Sequence, residues 1–180
     1  HLDWQADIVH GNDWPCGFAV AELRARRRYD VFFQPTRTLF SLHNVAYQGL
    51  FEPGDLWWLG FGDPPDSNDF MLGHQTASAL KAGIIAADAL STVSPRYAQE
   101  IQTSEQGQGL DWLLYSRRDR LAGVTNGVDF DIWNPETDKH IAANYSVDDL
   151  SGKQECKLDL LRRFGLPEEA NRPIIAIISR

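Results

Sequence analysis

The sequence predicts an α/β fold built around a parallel β-sheet, and three observations support this prediction. Short apolar runs, rich in β-branched residues or leucine and without polar alternation, are typical of strands buried on both faces. Helical patterns separate these runs, and polar residues follow each of them. The five runs are residues 6–9, 38–42, 89–93, 121–125 and 174–178.

Four segments between or after the runs have helical patterns. The first ends in a basic cluster, which suits the negative end of the helix dipole. The second places Leu80, Ile84 and Ala87 on one face. In the third, Ser94 and Pro95 form a good helix start. The four predicted helices are residues 16–27, 75–87, 95–101 and 151–164, the last followed by Gly165 as a C-terminal cap.

Two segments lack such patterns. Residues 50–73 contain many prolines and glycines around Trp57 and Trp58, which predicts a long surface loop or flap held by aromatic anchors. Residues 126–149 are rich in turn formers and are suited to connect two lobes. The chain starts without methionine and stops directly after an apolar run, so we expect it to be a piece of a longer protein.

Composition excludes several classes of protein. The chain has 180 residues, of which 43% are hydrophobic and 23% charged, as in ordinary globular domains. Its 25 acidic residues exceed its 17 basic ones, giving a net charge of -8, which argues against nucleic acid or an anionic membrane as partner. No apolar run is long enough for a membrane helix. Two cysteines are too few for a disulfide scaffold, which favours the cytoplasm.

The residues that follow the strands are the candidate site. In an open parallel sheet, the carboxyl ends of the strands share one edge, and ligands bind in the crevice there. The sequence therefore predicts a polar small-molecule site at that edge. The residues that follow the strands are 10–14, with Asp13 and Trp14, then His43 and Asn44, Ser94 and Pro95, 126–129, with Asn126, and Ser179 and Arg180.

Each candidate also has a purely structural interpretation. His43 and Asn44 suit hydrogen bonding to a hydroxylated ligand, or they are a pair that caps the local backbone or satisfies polar groups of the core. Asp13 is a catalytic or sugar-binding carboxylate, an N-cap of the following helix, or both. Trp14 either stacks on a sugar face or buries its ring at the sheet edge. Arg180 suits a phosphate-bearing ligand, or is merely a terminal charge.

Other chemistries are not indicated. The histidines and cysteines show no metal-ligand spacing, and neither phosphate-loop signature nor a hydrolase nucleophile motif is present. Lys81 lies in the middle of a predicted helix, where a solvated lysine is the usual case.

Specific strings carry more information than these patterns. The chain resembles bacterial glycogen synthases and plant starch synthases, in the family's order and over essentially its whole length. The matching strings include SLHNVAYQGLF at residues 41–51, LKAGI at 80–84, TVSPRYAQEI at 92–101, NGVD at 126–129, IWNPETD at 132–138 and DLSGK at 149–153.

The resemblance implies a GT-B glycosyltransferase with two Rossmann-like lobes. Residues 1–121 would be the second half of the N-terminal, acceptor-side lobe. Residues 122–180 would be the crossover and the beginning of the C-terminal, nucleotide-sugar-binding lobe. The implied reaction transfers glucose from a nucleotide sugar, ADP-glucose rather than UDP-glucose, to the non-reducing end of an α-1,4-glucan with retention of configuration. No metal or other cofactor is implied, and the expected location is cytoplasmic, or the plastid if the source is a plant.

The resemblance also implies roles for the strand-end residues. His43 would contact the donor glucose near the anomeric centre, and Arg180 would neutralise the departing diphosphate. Asp13 and Trp14 would line the sugar and acceptor side. The implied catalytic residues are thus His43, Asp13 and Arg180, and the implied substrate-binding residues are Trp14, Asn44 and Asn126.

Departures from the family pattern leave alternatives open. Asn12 stands where the family usually has a second histidine, and residues 14–17 are unusual after the Asp-Trp pair. Family elements that hold the nucleotide, a Lys-x-Gly-Gly loop, a lysine and a glutamate, lie outside these residues, so we expect the isolated chain to be inactive. A different GT-B transferase is disfavoured by Tyr47 to Gly49 and Trp133 to Pro135. A catalytically inactive glucan-binding homologue stays possible, because fold does not fix function.

Overall fold

The central feature of the computed structural model is a parallel four-stranded sheet. The structure describes residues 4–61, 69–72 and 76–179. The strands are β1 (Ile8–Asn12), β2 (Arg37–Leu42), β6 (Ala89–Thr92) and β7 (Leu121–Gly123). Their order in the sheet is β1-β2-β6-β7, with every neighbouring pair parallel, as predicted. Pairs such as Ile8 with Arg37 and Leu90 with Leu121 define the register.

Burial of the strands differs from the prediction. β2 is the buried centre, with Phe40 and Leu42 fully enclosed. β1 instead begins at Ile8, two residues after the start of its predicted run, and the side chain of Ile8 is 65% exposed. The interpretation that every strand is buried on both faces is therefore wrong for β1. The physical reason is its place at an end of the described sheet, where β2 covers only one side of it.

Two helices cover the sheet close to the predicted site. They are α1 (Gly17–Arg26) and α3 (Ala79–Ala86), and they pack against each other and the sheet. They approach so closely that a Cβ on Gly17 would lie 1.8 Å from the carbonyl oxygen of Ala79. Only glycine fits here, because any side chain would overlap that backbone.

The predicted helix at residues 75–87 is shorter than expected. Its first described residues form strand β5 (Thr76–Ser78), which pairs antiparallel with β3 (Leu50–Phe51) and β4 (Met71–Leu72). The helix then starts because Oγ of Ser78 accepts a hydrogen bond from the N–H of Lys81 at 3.1 Å. Pairing with two neighbouring strands overrides the helical pattern at these residues.

We call the described parts of the predicted loop, residues 50–61 and 69–72, the flap, and its buried anchors are not the tryptophans. Trp57 and Trp58, on the short helix α2 (Asp55–Trp58), are 66% and 81% exposed. The buried anchors are Leu56 and the rings of Phe61 and Phe70, which pack around Phe18 of α1. Residues 62–68 and 73 of the predicted loop lie outside the described residues.

A buried lysine connects this flap to the sheet-covering helix. Lys81 is 8% exposed, and its Nζ donates a hydrogen bond to the carbonyl oxygen of Met71 at 2.5 Å. The same ammonium lies 5.7 Å from the ring centre of Trp112. Burial lowers the pKa of Lys81. The expectation of a solvated lysine is therefore wrong, because flap and ring cover this face of α3.

The remaining helices of the first unit also follow the chain order of an α/β fold. α4 (Pro95–Glu100) begins where Oγ of Ser94 accepts from the N–H of Tyr97 at 2.9 Å, confirming the predicted start. α5 (Asp111–Ser116) and a short 3-10 turn (Arg118–Arg120) then lead into β7. Another 3-10 turn (Trp14–Cys16) joins β1 to α1.

The chain divides into two compact units, residues 1–126 and 127–180. Within the second, residues 127–149 form turns, and α6 (Gly152–Arg163) is followed by Gly165 at φ 62°, as predicted. The predicted strand at residues 174–178 is not formed, and Ile178 is fully exposed. A strand requires a hydrogen-bonded neighbour, and the described part of this unit contains no other strand.

Candidate functional site

The carboxyl ends of the parallel strands bring most of the predicted site residues to one edge. β1 and β2 end side by side, with Asn12 paired in register with Ser41. Asp13 follows β1, and His43 and Asn44 follow β2. The central inference from the sequence, a shared polar edge, is confirmed for these residues by the parallel pairing.

Asp13 holds the backbone that follows β2. Its Oδ1 accepts hydrogen bonds from the N–H of His43 at 2.8 Å and of Asn44 at 3.5 Å. Its own N–H donates to the carbonyl oxygen of Ser41 at 2.9 Å. The alternative in which Asp13 caps the next helix through its side chain is wrong, since the carboxylate is directed at the neighbouring strand end instead.

The backbone of Asp13 is strained. Its φ of 53° with ψ of -175° lies outside the regions that a residue with a side chain readily adopts. Such a conformation costs on the order of 1–3 kcal/mol, and it persists only where surrounding interactions over-determine it. Here the hydrogen bonds to β2 on both sides of the residue supply that constraint.

His43 presents an exposed imidazole whose orientation is set by Asn12. Nε2 of His43 lies 3.0 Å from Oδ1 of Asn12. With the amide oxygen as acceptor, Nε2 carries the proton, and Nδ1 of the neutral ring is left as the acceptor. The sequence placed Asn12 among the residues that follow the first apolar run but gave it no role in the site. The available signal was its departure from the family's histidine at this position.

Trp14 partly buries its ring at the sheet edge, which was one of the two interpretations, and stacking on a sugar stays a prediction. The indole is 36% exposed, and its buried side packs over the backbone of Gly49 and toward the ring of Phe51, 6.4 Å between centroids. Gly49 has φ 58°, and a Cβ there would lie 2.3 Å from the indole. The ring is thus fixed against the flap while part of it stays open to solvent beside Asp13.

A second polar network lies within the sheet, on strand residues that precede the site residues. Nε2 of His10 is 2.6 Å from Oγ of Ser41, which in turn is 2.5 Å from Oγ of Ser91. The three side chains connect β1, β2 and β6 across the sheet. This network satisfies polar groups inside the sheet, and it fixes the strands on which Asn12 and His43 depend.

The remaining predicted residues are less closely grouped. Oδ1 of Asn44 accepts from the N–H of Ala46 at 3.0 Å, so its oxygen shapes the local turn. Asn126 is exposed at the end of the first unit. Arg180 lies outside the described residues. Within the described part of the chain, no three His, Cys, Asp or Glu side chains are grouped to hold a metal ion.

A parallel sheet with a histidine, a strained aspartate and a tryptophan at its carboxyl edge defines an α/β protein with a candidate site for a polar small molecule. Comparison with known proteins makes this specific. Residues 1–116 match the family model of the starch synthase catalytic domain. The chain is 45% identical to a glycogen synthase of Anaeromyxobacter sp. over 179 residues, covering 99% of this chain and 38% of that protein.

Other relatives agree. A glycogen synthase of Myxococcus xanthus is 46% identical, with 97% of this chain and 36% of that protein covered. The catalytic domain of starch synthase IV from Arabidopsis thaliana, solved bound to ADP and acarbose, superposes with a TM-score of 0.72 at 32% identity. That match covers 92% of this chain and 34% of the solved one.

The chain belongs to the starch synthase catalytic domain family, as the sequence strings indicated, and these relatives are named glycogen synthase or starch synthase. It spans little more than a third of the length of the curated relatives it matches, between 36% and 38% for the two above. No helix in the described ranges is long and apolar enough to cross a membrane.

Proposed function

We propose that this chain is part of a retaining glucosyltransferase that extends α-1,4-glucans at their non-reducing ends, with ADP-glucose as donor. The observation that carries the proposal is the edge where Asp13, Asn12 and His43 meet, in a chain 45% identical to a glycogen synthase. The donor and the glucan are supported by a structural relative that was solved with ADP and acarbose.

In this proposal His43 acts near the anomeric carbon of the donor glucose. Positive charge develops at that carbon as the bond to the diphosphate breaks. Polar groups fixed in advance around such a centre lower the barrier without reorganising during the reaction. Asp13 and Asn12 fix His43 through its backbone and its ring, respectively. Asp13 therefore acts at least partly as a positioning residue for His43.

The other predicted site residues have proposed roles in binding the two substrates. The exposed part of Trp14 offers an apolar surface for a sugar ring, and Asn44 and Asn126 offer amides to sugar hydroxyls. Arg180 would neutralise the departing diphosphate. We assign residues 1–121 to the acceptor-side lobe and residues 122–180 to the crossover and the start of the nucleotide-sugar lobe. The cytoplasm is the proposed location.

The test uses the full-length polypeptide, completed by its own flanking coding sequence. Transfer of labelled glucose from ADP-glucose, and separately from UDP-glucose, onto a malto-oligosaccharide would be followed for the wild type, His43→Ala and His140→Ala. His140 is exposed on a turn of the second unit and serves as the matched control. We expect transfer from ADP-glucose, a fall in kcat of at least about a hundredfold for His43→Ala, and little change for the control.

Two outcomes would overturn the proposal in different ways. No transfer from either donor, with glucan binding intact, would identify an inactive glucan-binding homologue. Transfer that survives His43→Ala would leave the reaction class standing but remove His43 from the site. The 180-residue chain alone should transfer no glucose, because it spans little more than a third of its relatives.

A further inference from the structure

A cleft of about 730 Å³ lies at the edge of the sheet opposite the proposed active site. It is formed where helices lead back into strands, between the end of α1, the end of α3 and the turn that precedes β7. Guanidinium groups dominate its lining. The arginines are Arg24, Arg27, Arg28, Arg117 and Arg120, and Asp88 is the one acidic residue among those that line the cleft in the described part of the chain.

This charge contrasts with that of the chain, which carries a net charge of -8. Asp88 neutralises one arginine, since its Oδ2 lies 2.6 Å from Nη1 of Arg27. The same oxygen also accepts from the N–H and hydroxyl of Thr38, at 2.8 and 3.1 Å. This carboxylate is thus already occupied on several sides.

Part of this positive charge has a structural role at the end of α3. Arg117 donates to the carbonyl oxygens of Ile84, Ile85 and Ala87, and Arg24 donates to that of Ile85. A helix C-terminus carries about half a negative charge, which is much less than these guanidinium groups bring. Burial and the nearby Arg120 and Arg24 lower the pKa of Arg117, whereas Asp119 and Asp88 act in the opposite direction, with the lowering the larger effect. Among the residues that line the cleft in the described part of the chain, guanidinium groups outnumber carboxylates.

Two of the arginines keep most of their donors available. Arg24 donates through Nη1 alone, and Arg120 donates through Nη1 to the carbonyl oxygen of Asp88 at 3.2 Å, among contacts of the described residues. Each keeps Nε and Nη2 for another acceptor. The guanidinium fork matches the spacing of phosphate oxygens, and hydrogen bonds between such charged groups are about twice as strong as neutral ones.

We propose that this cleft binds a small molecule carrying a phosphate group, through Arg24 and Arg120, at a site separate from the transferase edge. The volume falls in the range of small-molecule sites, so there is room for an organic group beside the phosphate. Arg27 and Arg117 complete the electropositive wall. The proposal does not depend on the transferase activity.

The test is titration calorimetry of the full-length polypeptide with inorganic phosphate, pyrophosphate and glycerol phosphate, with ADP present at saturation to occupy the proposed donor site. The test variant is Arg24→Gln with Arg120→Gln. The control is Arg96→Gln with Arg163→Gln, since both of these arginines form exposed ion pairs within a helix. We expect at least tenfold weaker binding in the test variant and unchanged binding in the control.

A lysine variant and a comparison of the ligands distinguish the possible outcomes. Arg24→Lys with Arg120→Lys retains the charge but loses the planar fork, so it should bind more weakly than the wild type and more tightly than the glutamine variant. It also replaces that variant if glutamine prevents folding. Tighter binding of glycerol phosphate than of inorganic phosphate would identify an organic phosphate as the ligand, and the reverse order would identify the free anion. Equal binding by wild type and both cleft variants, or no binding at millimolar ligand, would overturn the proposal.

Discussion

Oδ1 of Asp13 accepts the backbone N–H of His43 at 2.8 Å, so the carboxylate that ends one strand fixes the residue that ends the next. The contact joins positions 30 residues apart in the sequence. It also explains why Asp13 tolerates a φ of 53°, because the conformation directs the carboxylate at the neighbouring strand end. The strained backbone of Asp13 thus allows its carboxylate to hold His43 in place.

Replacing Asp13 should therefore lower the free energy of unfolding. Asp13→Ala removes the acceptor and leaves two backbone N–H groups without it, which should cost about 1–3 kcal/mol. Asp13→Asn keeps an oxygen acceptor and a residue type that tolerates positive φ, so it should cost less. Thermal unfolding of the full-length polypeptide measures the order. Equal losses for both variants would show that the hydrogen bond does not hold His43.

Asn12 is expected to act through His43 rather than on the substrate. Asn12→Leu removes the acceptor for Nε2 at 3.0 Å, so the ring can adopt other orientations and the other tautomer. We expect kcat to fall about tenfold, equivalent to about 1.4 kcal/mol of barrier, with little change in KM. The comparison variant is Asn12→His, the residue usual in the family, which retains a hydrogen-bonding ring nitrogen.

A spectroscopic measurement separates this role from a general loss of structure. The ¹⁵N shifts of the His43 ring report which nitrogen carries the proton. They should indicate a proton on Nε2 in the wild type and a mixture of tautomers in Asn12→Leu. A lower kcat with unchanged ring shifts would contradict the positioning role.

The sequence predicted the shared edge because polar residues follow parallel strands at fixed places. It did not predict the contact between Asn12 and His43, because that contact depends on how β1 and β2 are aligned, which periodicity does not reveal. Lys81 was misjudged for a similar reason. Its burial comes from Met71 and Trp112, which local sequence does not place over α3.

The predicted strand near the end of the chain shows what composition cannot predict. Residues 174–178 have the composition of a buried strand, yet they form none here. Composition reports that a segment can form a strand, whereas pairing requires a neighbour with free backbone groups. The exposure of Ile8 on β1 follows the same rule, because burial of a strand depends on what lies beside it.

Gly49 should be intolerant of any side chain, for two separable reasons. Gly49→Ala places a methyl group 2.3 Å from the indole of Trp14 and also forces alanine to φ 58°. Gly109→Ala is the matched control, since Gly109 has φ 80° with open space around it. The control should lose about 1–2 kcal/mol from backbone strain alone.

The difference between the two variants then measures the packing of Trp14. Overpacking typically adds about 1–3 kcal/mol, so Gly49→Ala should be the less stable variant by that amount. Displacement of the indole should also raise KM for a malto-oligosaccharide, while the control leaves it unchanged. Equal stability of the two variants would show that Trp14 moves freely away from Gly49.

Asp88 should make stability depend on pH at the opposite edge of the sheet. Burial alone would raise the pKa of Asp88, but hydrogen bonds from Thr38 and the contact with Arg27 outweigh burial and lower the pKa below its ordinary value. The folded state therefore favours the charged form. The resulting stability is fully present above the unfolded pKa of about 4 and is lost as the pH falls through the lower folded value.

Asp88→Asn should consequently be less stable than the wild type by about 1–3 kcal/mol at neutral pH, because the amide brings a donor to a site lined by donors. The difference should narrow as the pH is lowered below about 4. Thermal unfolding between pH 7 and pH 3 measures it, with Glu100→Gln as the control because Glu100 forms an exposed ion pair with Arg96. Exposed pairs contribute about 0–1 kcal/mol, so the control should follow the wild type closely. A difference between Asp88→Asn and the wild type that stays constant down to pH 3 would show that the charge of Asp88 does not stabilise the fold.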